Sequence, residues 1–429
     1  MRKREVLASI AAGMSALAGC PGSSGNNTDA PADDPSPTPD ESTPTETPTD
    51  SPTDSPTDSP TATPTDSPTP EPTPESPRTY YVDPDGSDSA TGVENNPLAT
   101  IQEGLDRAIA GDTVHVRSGT YLENLTTVRD GRAGNPITIT GPPDAVFSGG
   151  GNSRSFEINH SHIHIRGMTF DGFHDKDNPD DWRSYRDKMI YAQPTSPEYL
   201  TGLVIKPHGV GNTYGEAIRI AMTEDSEIGE FELIAPTGRE HYGPGDADGS
   251  NGEVVYIGTS PTQIDEEPHN GNVDRSNNIH VHHIDNSDGH VHSELVNTKE
   301  GTHDILIEYC TDRGAEYLYG APMNIQGTKT TVRFCKLNKN KSSGVRLGWS
   351  TAHEDAPDAG TNNSVYYNEI MNNMAKAINL PKDNAGPETQ ATICGNETNG
   401  RTNGSPSTNC SDDIPTSETW GVAGSSAGN

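Results

Sequence analysis

From residue 79 onward the chain alternates short β-branched runs with Gly, Asn and Asp, and the runs superpose on one another. The segments "GEAIRIA" (215–221), "GEVVYIG" (252–258), "SELVNTK" (293–299), "APMNIQG" (321–327), "GVRLG" (344–348) and "AINL" (377–380) align. Their inner pairs then fall in columns: Ile218/Ile220, Val255/Ile257, Val296/Thr298, Met323/Ile325, Val345/Leu347 and Ile378/Leu380. Side chains alternate across a strand, so the residue between each pair faces the other way. That outward column reads Arg219, Tyr256, Asn297, Asn324, Arg346 and Asn379.

A second family of runs falls between these: "HIHIRGMTF" (162–170), "NIHVHHIDN" (278–286), "DILIEYCTD" (304–312), "TTVRFCKLN" (330–338) and "NSVYYNEIM" (363–371). Where no insertion intervenes, successive runs lie about 25 residues apart, a period that signals stacked coils. Two strand families at that period predict an all-β chain folded as a single-stranded parallel β-helix, a solenoid with a narrow core. The low aromatic content agrees with a narrow core. Cys310 and Cys335 share one column and are expected as two small buried thiols.

The pattern changes period once. In "TIQEGLDRAIAGDTVHV", Thr100 and Glu103 read as a capping box, Ile101, Leu105, Ala108 and Ile109 share one helical face, and Gly111 is the stop. An amphipathic helix there would plug the open end of the coil and shield its first strand, expected at Thr113–Val116. The stretch 174–200, with Trp182, Tyr185 and Tyr191, reads as an insertion that interrupts the coil and could wall a groove.

The first 78 residues carry no such pattern. Residues 1–20 join a basic start (Arg2, Lys3, Arg4) to an apolar run too short to span a bilayer and end in Leu17-Ala18-Gly19-Cys20. That ending resembles the lipobox of prokaryotic lipoproteins, which implies a signal peptide cleaved to leave Cys20 as a lipidated terminus on the outer face of the cytoplasmic membrane. Residues 21–78 are Pro, Thr, Ser and Asp, with little to bury, and read as a disordered tether; fully extended it would reach about 180 Å. The β-helix domain is expected over 79–411, with a flexible tail at 412–429.

Lys and Arg total 29 against 63 Asp and Glu, a net charge of -34. Nucleic acid is excluded as a partner, because phosphate binding needs a positive surface. An acidic, lysine-poor surface fits a halophilic protein kept soluble in high salt. Besides Cys20, Cys310 and Cys335, the chain holds Cys394 and Cys410, placed to close a C-terminal loop by a disulfide outside the cell. Nothing in the pattern asks for a second subunit, so a monomer is expected.

Two segments carry a family resemblance. "YYVDPDGSDSATGVENNPLATIQEGLDRAIAGDTVHVRSGTY" resembles the N-terminal cap of pectate-lyase-like right-handed parallel β-helix proteins. "NGEVVYIGTS" followed by "HSELVNTKEG" resembles the core of the chondroitinase B and alginate lyase family, also β-helices. The resemblance implies a polysaccharide lyase that cleaves a uronate-containing polysaccharide by β-elimination, with a calcium ion (Ca2+) neutralising the sugar carboxylate and a lysine removing the adjacent proton. In that family a calcium-binding Glu lies five residues before the lysine base, the spacing of Glu294 and Lys299. Asn251 matches an asparagine ligand and Arg346 an arginine that holds substrate. A lysine base requires a lowered pKa, expected here from neighbouring positive charge.

Other residues join the candidate site by position. Glu216, Glu253 and Glu294 share a column beside the lysine. The loop "GPGDADGSNGE" (243–253) offers Asp246, Asp248, Asn251 and Glu253 as oxygen ligands. Tyr256, His292, Asn297, Asn324 and Gln326 are candidate substrate contacts. Two positions depart from the family: its second catalytic arginine falls where this chain has Asn324 and Gln326, and His292 replaces a glutamate.

The histidines His280, His282, His283, His290 and His292 raise zinc, since alternation puts pairs on one face, but no carboxylate third ligand lies at a tight spacing. Two other functions remain open: a non-catalytic surface protein that binds glycan with the same face, and a glycoside hydrolase, although no separated pair of carboxylates singles itself out.

Overall fold

The computed structural model describes residues 76–179, 181–238, 252–316, 320–348, 354–380, 389–399, 410–411 and 414. The expected signal peptide with Cys20, nearly all of the tether and tail, and Asp246, Asp248 and Asn251 lie outside the described residues.

The described chain is a right-handed parallel β-helix whose strands pair with the equivalent strands of the coils before and after. Three ladders run along it. One is the expected sheet, in which Ile218 pairs with Val255, Val255 with Val296, Val296 with Met323, Met323 with Val345 and Val345 with Ile378. The superposition of runs therefore gives the register correctly.

The second family proves to be two ladders rather than one. Strands such as His303–Glu308 and Thr311–Arg313 belong to adjacent faces, and only Thr223–Leu233 and Asn277–Asn286 run through both. The bend between these faces lies at His283, Tyr309, Phe334 and Tyr367, all with φ between 50° and 56°. Left-handed backbone at non-glycine residues costs on the order of 1 kcal/mol each. Here the bend aligns their rings in a stack with centroids 5.1, 5.1 and 5.9 Å apart, which offsets part of that cost.

The core lies between the three faces. It holds Phe147, in edge contact with Phe156 at 6.2 Å and Phe170 at 5.5 Å. Cys310 and Cys335 are buried free thiols and Cys394–Cys410 is a disulfide, both as expected.

At the N-terminal end, helix Ile101–Arg107 starts at Thr100, whose hydroxyl accepts from the Glu103 amide. Glu103 does not close the box; its carboxylate takes Arg107 instead. Glu123 accepts from the first-turn amides of Ile101 and Gln102 at 2.8 and 3.0 Å. Ile101, Leu105 and Ala108 are buried, whereas Ile109 lies past the helix end and is exposed. The first strand is Thr79–Val82, paired to Thr113–Val116, so the helix caps a coil one strand earlier than expected.

The stretch 174–200 is not simply an insertion. It contains strand Lys188–Ala192, which pairs with Arg154–Ile158 on one side and Ile218–Ile220 on the other. The Trp182 side chain lies outside the described residues, and Tyr185 stacks on Phe173 at 4.8 Å.

Candidate active site

The register that aligns the first sheet also aligns its outward residues. Glu157, Tyr191, Arg219, Tyr256, Asn297, Asn324, Arg346 and Asn379 occupy successive rungs of one column. At one end cations and aromatic rings alternate: the Arg154 guanidinium lies 3.8 Å from the Tyr191 centroid, and Arg219 lies 5.6 Å from Tyr191 and 4.5 Å from Tyr256. Lys299 Nζ completes the series, 4.6 Å from the Tyr256 centroid. Each contact places positive charge on the electron-rich face of a ring.

Lys299 follows strand Val296–Thr298 and is held by its turn. Its amide donates to Ile257 O at 2.9 Å, and its carbonyl accepts from the Thr302 amide and hydroxyl at 3.0 and 2.7 Å. On the preceding rung the equivalent residue is Gly258, with φ +88°, where a Cβ would meet Thr302 at 2.5 Å. Glycine there lets the Lys299 turn close against its neighbour.

A second column holds Lys188, Glu216, Glu253 and Glu294, and the three glutamates differ in state. Glu216 receives Lys188 at 2.9 Å and Arg219 at 3.4 Å. Burial opposes its ionisation, but the two cations prevail and hold its pKa below the usual carboxylate range. Glu253 is pushed up to about 8, first by burial and then by the charges of Glu294 and Glu216. Glu294 is also raised, chiefly by burial, against the Ser293 hydroxyl, Lys299, Asn324 and Arg346. The expected three-carboxylate ladder is thus two acids that resist ionisation beside one committed to ion pairs.

Amide side chains support these acids. Asn297 Nδ2 donates to Glu253 at 3.3 Å, Asn324 Nδ2 to Glu294 at 3.2 Å, and Gln326 Nε2 to Asn297 Oδ1 at 3.4 Å. Glu294 also accepts from the Ser293 hydroxyl. Among the described residues, Asn324 Oδ1 and Arg219 Nε are buried atoms with no hydrogen-bond partner.

The expected lowering of the Lys299 pKa by neighbouring cations is overturned. Burial alone would favour the free amine, but Tyr256, Glu253, Glu300 and Glu294 outweigh it and hold the ammonium above the ordinary lysine range. Burial likewise raises the Tyr256 phenol, against Lys299 and Arg219.

The structure thus brings Lys299, Glu294, Glu253, Tyr256, Asn297, Asn324, Gln326 and Arg346 to one face, with Arg346 one rung beyond Asn324 and acting electrostatically on Glu294. All but Lys299 are less than a tenth exposed. His292 is buried two residues before Glu294. Arg154, Lys188 and Tyr191 were not anticipated as members. The apolar pair Ile190/Ala192 around Tyr191 is the signal that would have found that strand. Past Gln193, which touches His269 at 3.3 Å, Tyr199, His269, Arg275 and Asp355 line a cavity of about 540 Å³.

Residues 80–208 match the family model described as the Pel9A-like right-handed beta helix region. Over 61 residues the chain is 43% identical to pectate lyase PEL9 of Emericella nidulans, which covers 14% of this chain and 15% of that protein. Over 59 residues it is 43% identical to the uncharacterized protein YwoF of Bacillus subtilis, covering 14% of this chain and 13% of that one. The chain therefore aligns with less than a sixth of the length of either relative. Among solved structures, an alginate lyase from Paenibacillus sp. str. FPU-7 superposes with a TM-score of 0.53 at 17% identity, over 76% of this chain and 97% of that one. At that identity the likeness is one of fold.

Proposed function

From a right-handed β-helix whose residues 80–208 match the Pel9A-like region, we propose that this chain is a polysaccharide lyase that cleaves a uronate-containing polymer by β-elimination. The observation that carries the reading is Lys299, half-buried against the Tyr256 ring and beside two carboxyl groups that resist ionisation. Fold alone does not fix reaction, so the argument rests on these residues.

β-Elimination needs three things: charge neutralised on the sugar carboxylate, a base for the adjacent proton, and a proton for the departing glycosidic oxygen. Lys299 and Tyr256 are two adjacent proton-active groups that can divide the last two roles. Tyr256, Glu253, Glu300 and Glu294 together hold Lys299 as ammonium against its burial. A proton or a cation on Glu253 and Glu294 would weaken that attraction, and burial, which favours the free amine needed in a base, would count for more. Arg219 and Arg346, with the amides of Asn297, Asn324 and Gln326, would orient the acidic sugar.

The donor set fits a hard cation. Glu253 and Glu294 offer carboxylate oxygens, and Asn324 Oδ1 is a buried amide oxygen lacking a donor. These residues would hold calcium, and a divalent ion there would supply the charge that makes the proton beside the sugar carboxylate acidic. Asp246, Asp248 and Asn251 remain proposed further ligands from the adjoining loop. We also propose that the protein acts as a monomer held outside the cell by lipid on Cys20; Cys20→Ser should release it into the medium.

The test is incubation with pectate, alginate and chondroitin, with and without calcium and in high salt. Product with the ultraviolet absorbance of unsaturated ends supports the lyase. Reducing ends without that absorbance would indicate hydrolysis, and binding without product a surface adhesin.

A further inference from the structure

A second cluster lies on a different ladder and plays no part in that chemistry. Strand Asn277–Asn286 presents His280 and His282, two residues apart and on one face, with rings stacked at 4.3 Å. Glu227 on the preceding rung is in register with His280, and Glu308 on the following rung with His282. The contacts run diagonally: His282 Nε2 meets Glu227 Oε1 at 2.8 Å, and His280 Nε2 meets Glu308 Oε1 at 2.9 Å. Ligand atoms of Glu227, His280 and His282 all lie within 4.8 Å of one another.

We propose that His280, His282 and Glu227, with Glu308 as the fourth ligand, form a site for a divalent transition ion, zinc above all. Two imidazole nitrogens and two carboxylate oxygens are a donor set that suits zinc and does not suit calcium, which takes oxygen alone. The ligands are also braced from behind. Arg333 Nε holds Glu308 through its other oxygen, Oε2, at 2.6 Å, whereas Lys206 Nζ lies 2.7 Å from Glu227 Oε1, the oxygen that also meets His282. His282 Nδ1 lies 2.9 Å from His283 Nδ1, which fixes the ring. Outer partners of this kind orient ligands and tune affinity. On binding, the ion replaces the two His–Glu hydrogen bonds and releases any proton they carry beyond the neutral imidazoles. It would tie three consecutive coils together.

The alternative is a hydrogen-bonded ladder with no affinity for metal. The full chain, stripped with chelator, is titrated with zinc by calorimetry and with cobalt(II) as a spectroscopic probe. We expect one zinc per chain at micromolar affinity or tighter, an intense visible cobalt spectrum of low coordination number, and a higher melting temperature with zinc. His280→Asn with His282→Asn, which keeps hydrogen-bonding capacity, should weaken zinc by at least about 100-fold. Glu294→Gln, in the other site, should leave zinc binding unchanged. No binding below 100-fold excess metal, a weak octahedral cobalt spectrum, or undiminished binding in the folded double variant would overturn the proposal.

Discussion

Lys299 Nζ lies 4.6 Å from the centre of the Tyr256 ring, although the two residues are 43 positions apart in the chain and meet only because successive coils stack. The same ring carries Arg219 on its column, 4.5 Å from the centroid. A phenol between two cations, next to two acids that resist ionisation, is the centre of the proposed chemistry.

Lys299→Arg preserves the charge and much of the contact with Tyr256 but has no accessible neutral form. If Lys299 is the base, kcat should fall by about 100- to 10,000-fold, as for loss of a general base. Lys299→Ala should fall at least as far. Initial rates of unsaturated-end formation at saturating polymer read the effect; a fully active Lys299→Arg enzyme would remove the assignment.

Tyr256→Phe keeps the ring that Arg219 and Lys299 lie against and removes only the hydroxyl. The expected result is a loss of about 100-fold in kcat with little change in KM, because the phenol exchanges its proton in the transition state rather than holding substrate. Equal losses in binding and rate, or none in either, would reduce Tyr256 to a packing element.

Glu253, pushed up to about 8 by burial and by its glutamate neighbours, ties cation binding to pH. A proton and a metal ion compete for the carboxylate, so calcium affinity should rise as pH climbs towards about 8 and level off above it. Calorimetric titrations at four pH values across that range would follow this, and Glu253→Gln should weaken binding and flatten the dependence. Without metal the sign for stability is the reverse. The folded-state pKa lies above the unfolded one, so ionising Glu253 destabilises the fold as pH rises through 8.

How much of this was readable from the chain follows from what each feature depends on. The first sheet was legible in full from Gly215 to Leu380, because alternation fixes which residues face out and the repeat fixes which rungs are neighbours. Glu216, Glu253 and Glu294 accordingly fall in one column on the sequence alone. Strand Lys188–Ala192 was hidden by a stretch rich in Asp, Pro and Arg around it, and with it Tyr191 and the Lys188–Glu216 pair. The state of Lys299 was not legible at all, since the sign of its shift is set by the balance of burial against carboxylates from two other coils. Glu227 escaped notice as a partner of His280 for a related reason: 53 residues separate them along the chain, and only the register makes them neighbours.

Asp312 offers a test of the fold that is independent of the active site. It is fully buried, and burial pushes its pKa up to about 7 even though the Asn286 side chain donates to it at 2.6 Å. Its ordinary value is 3.8, so the folded protein prefers the protonated form. That contribution to stability is present in full below about pH 4 and is lost as pH rises through 7, with a limit on the order of 4 kcal/mol. Asp312→Asn keeps the shape and the acceptor for Asn286 without the charge. At pH 8 the variant should melt above the parent protein; at pH 4.5, where Asp312 is protonated, it should melt at the same temperature or slightly below. Calorimetric scans at the two pH values give the comparison. A variant destabilised equally at both would mean that the carboxylate is stabilised where it lies and that its burial costs nothing.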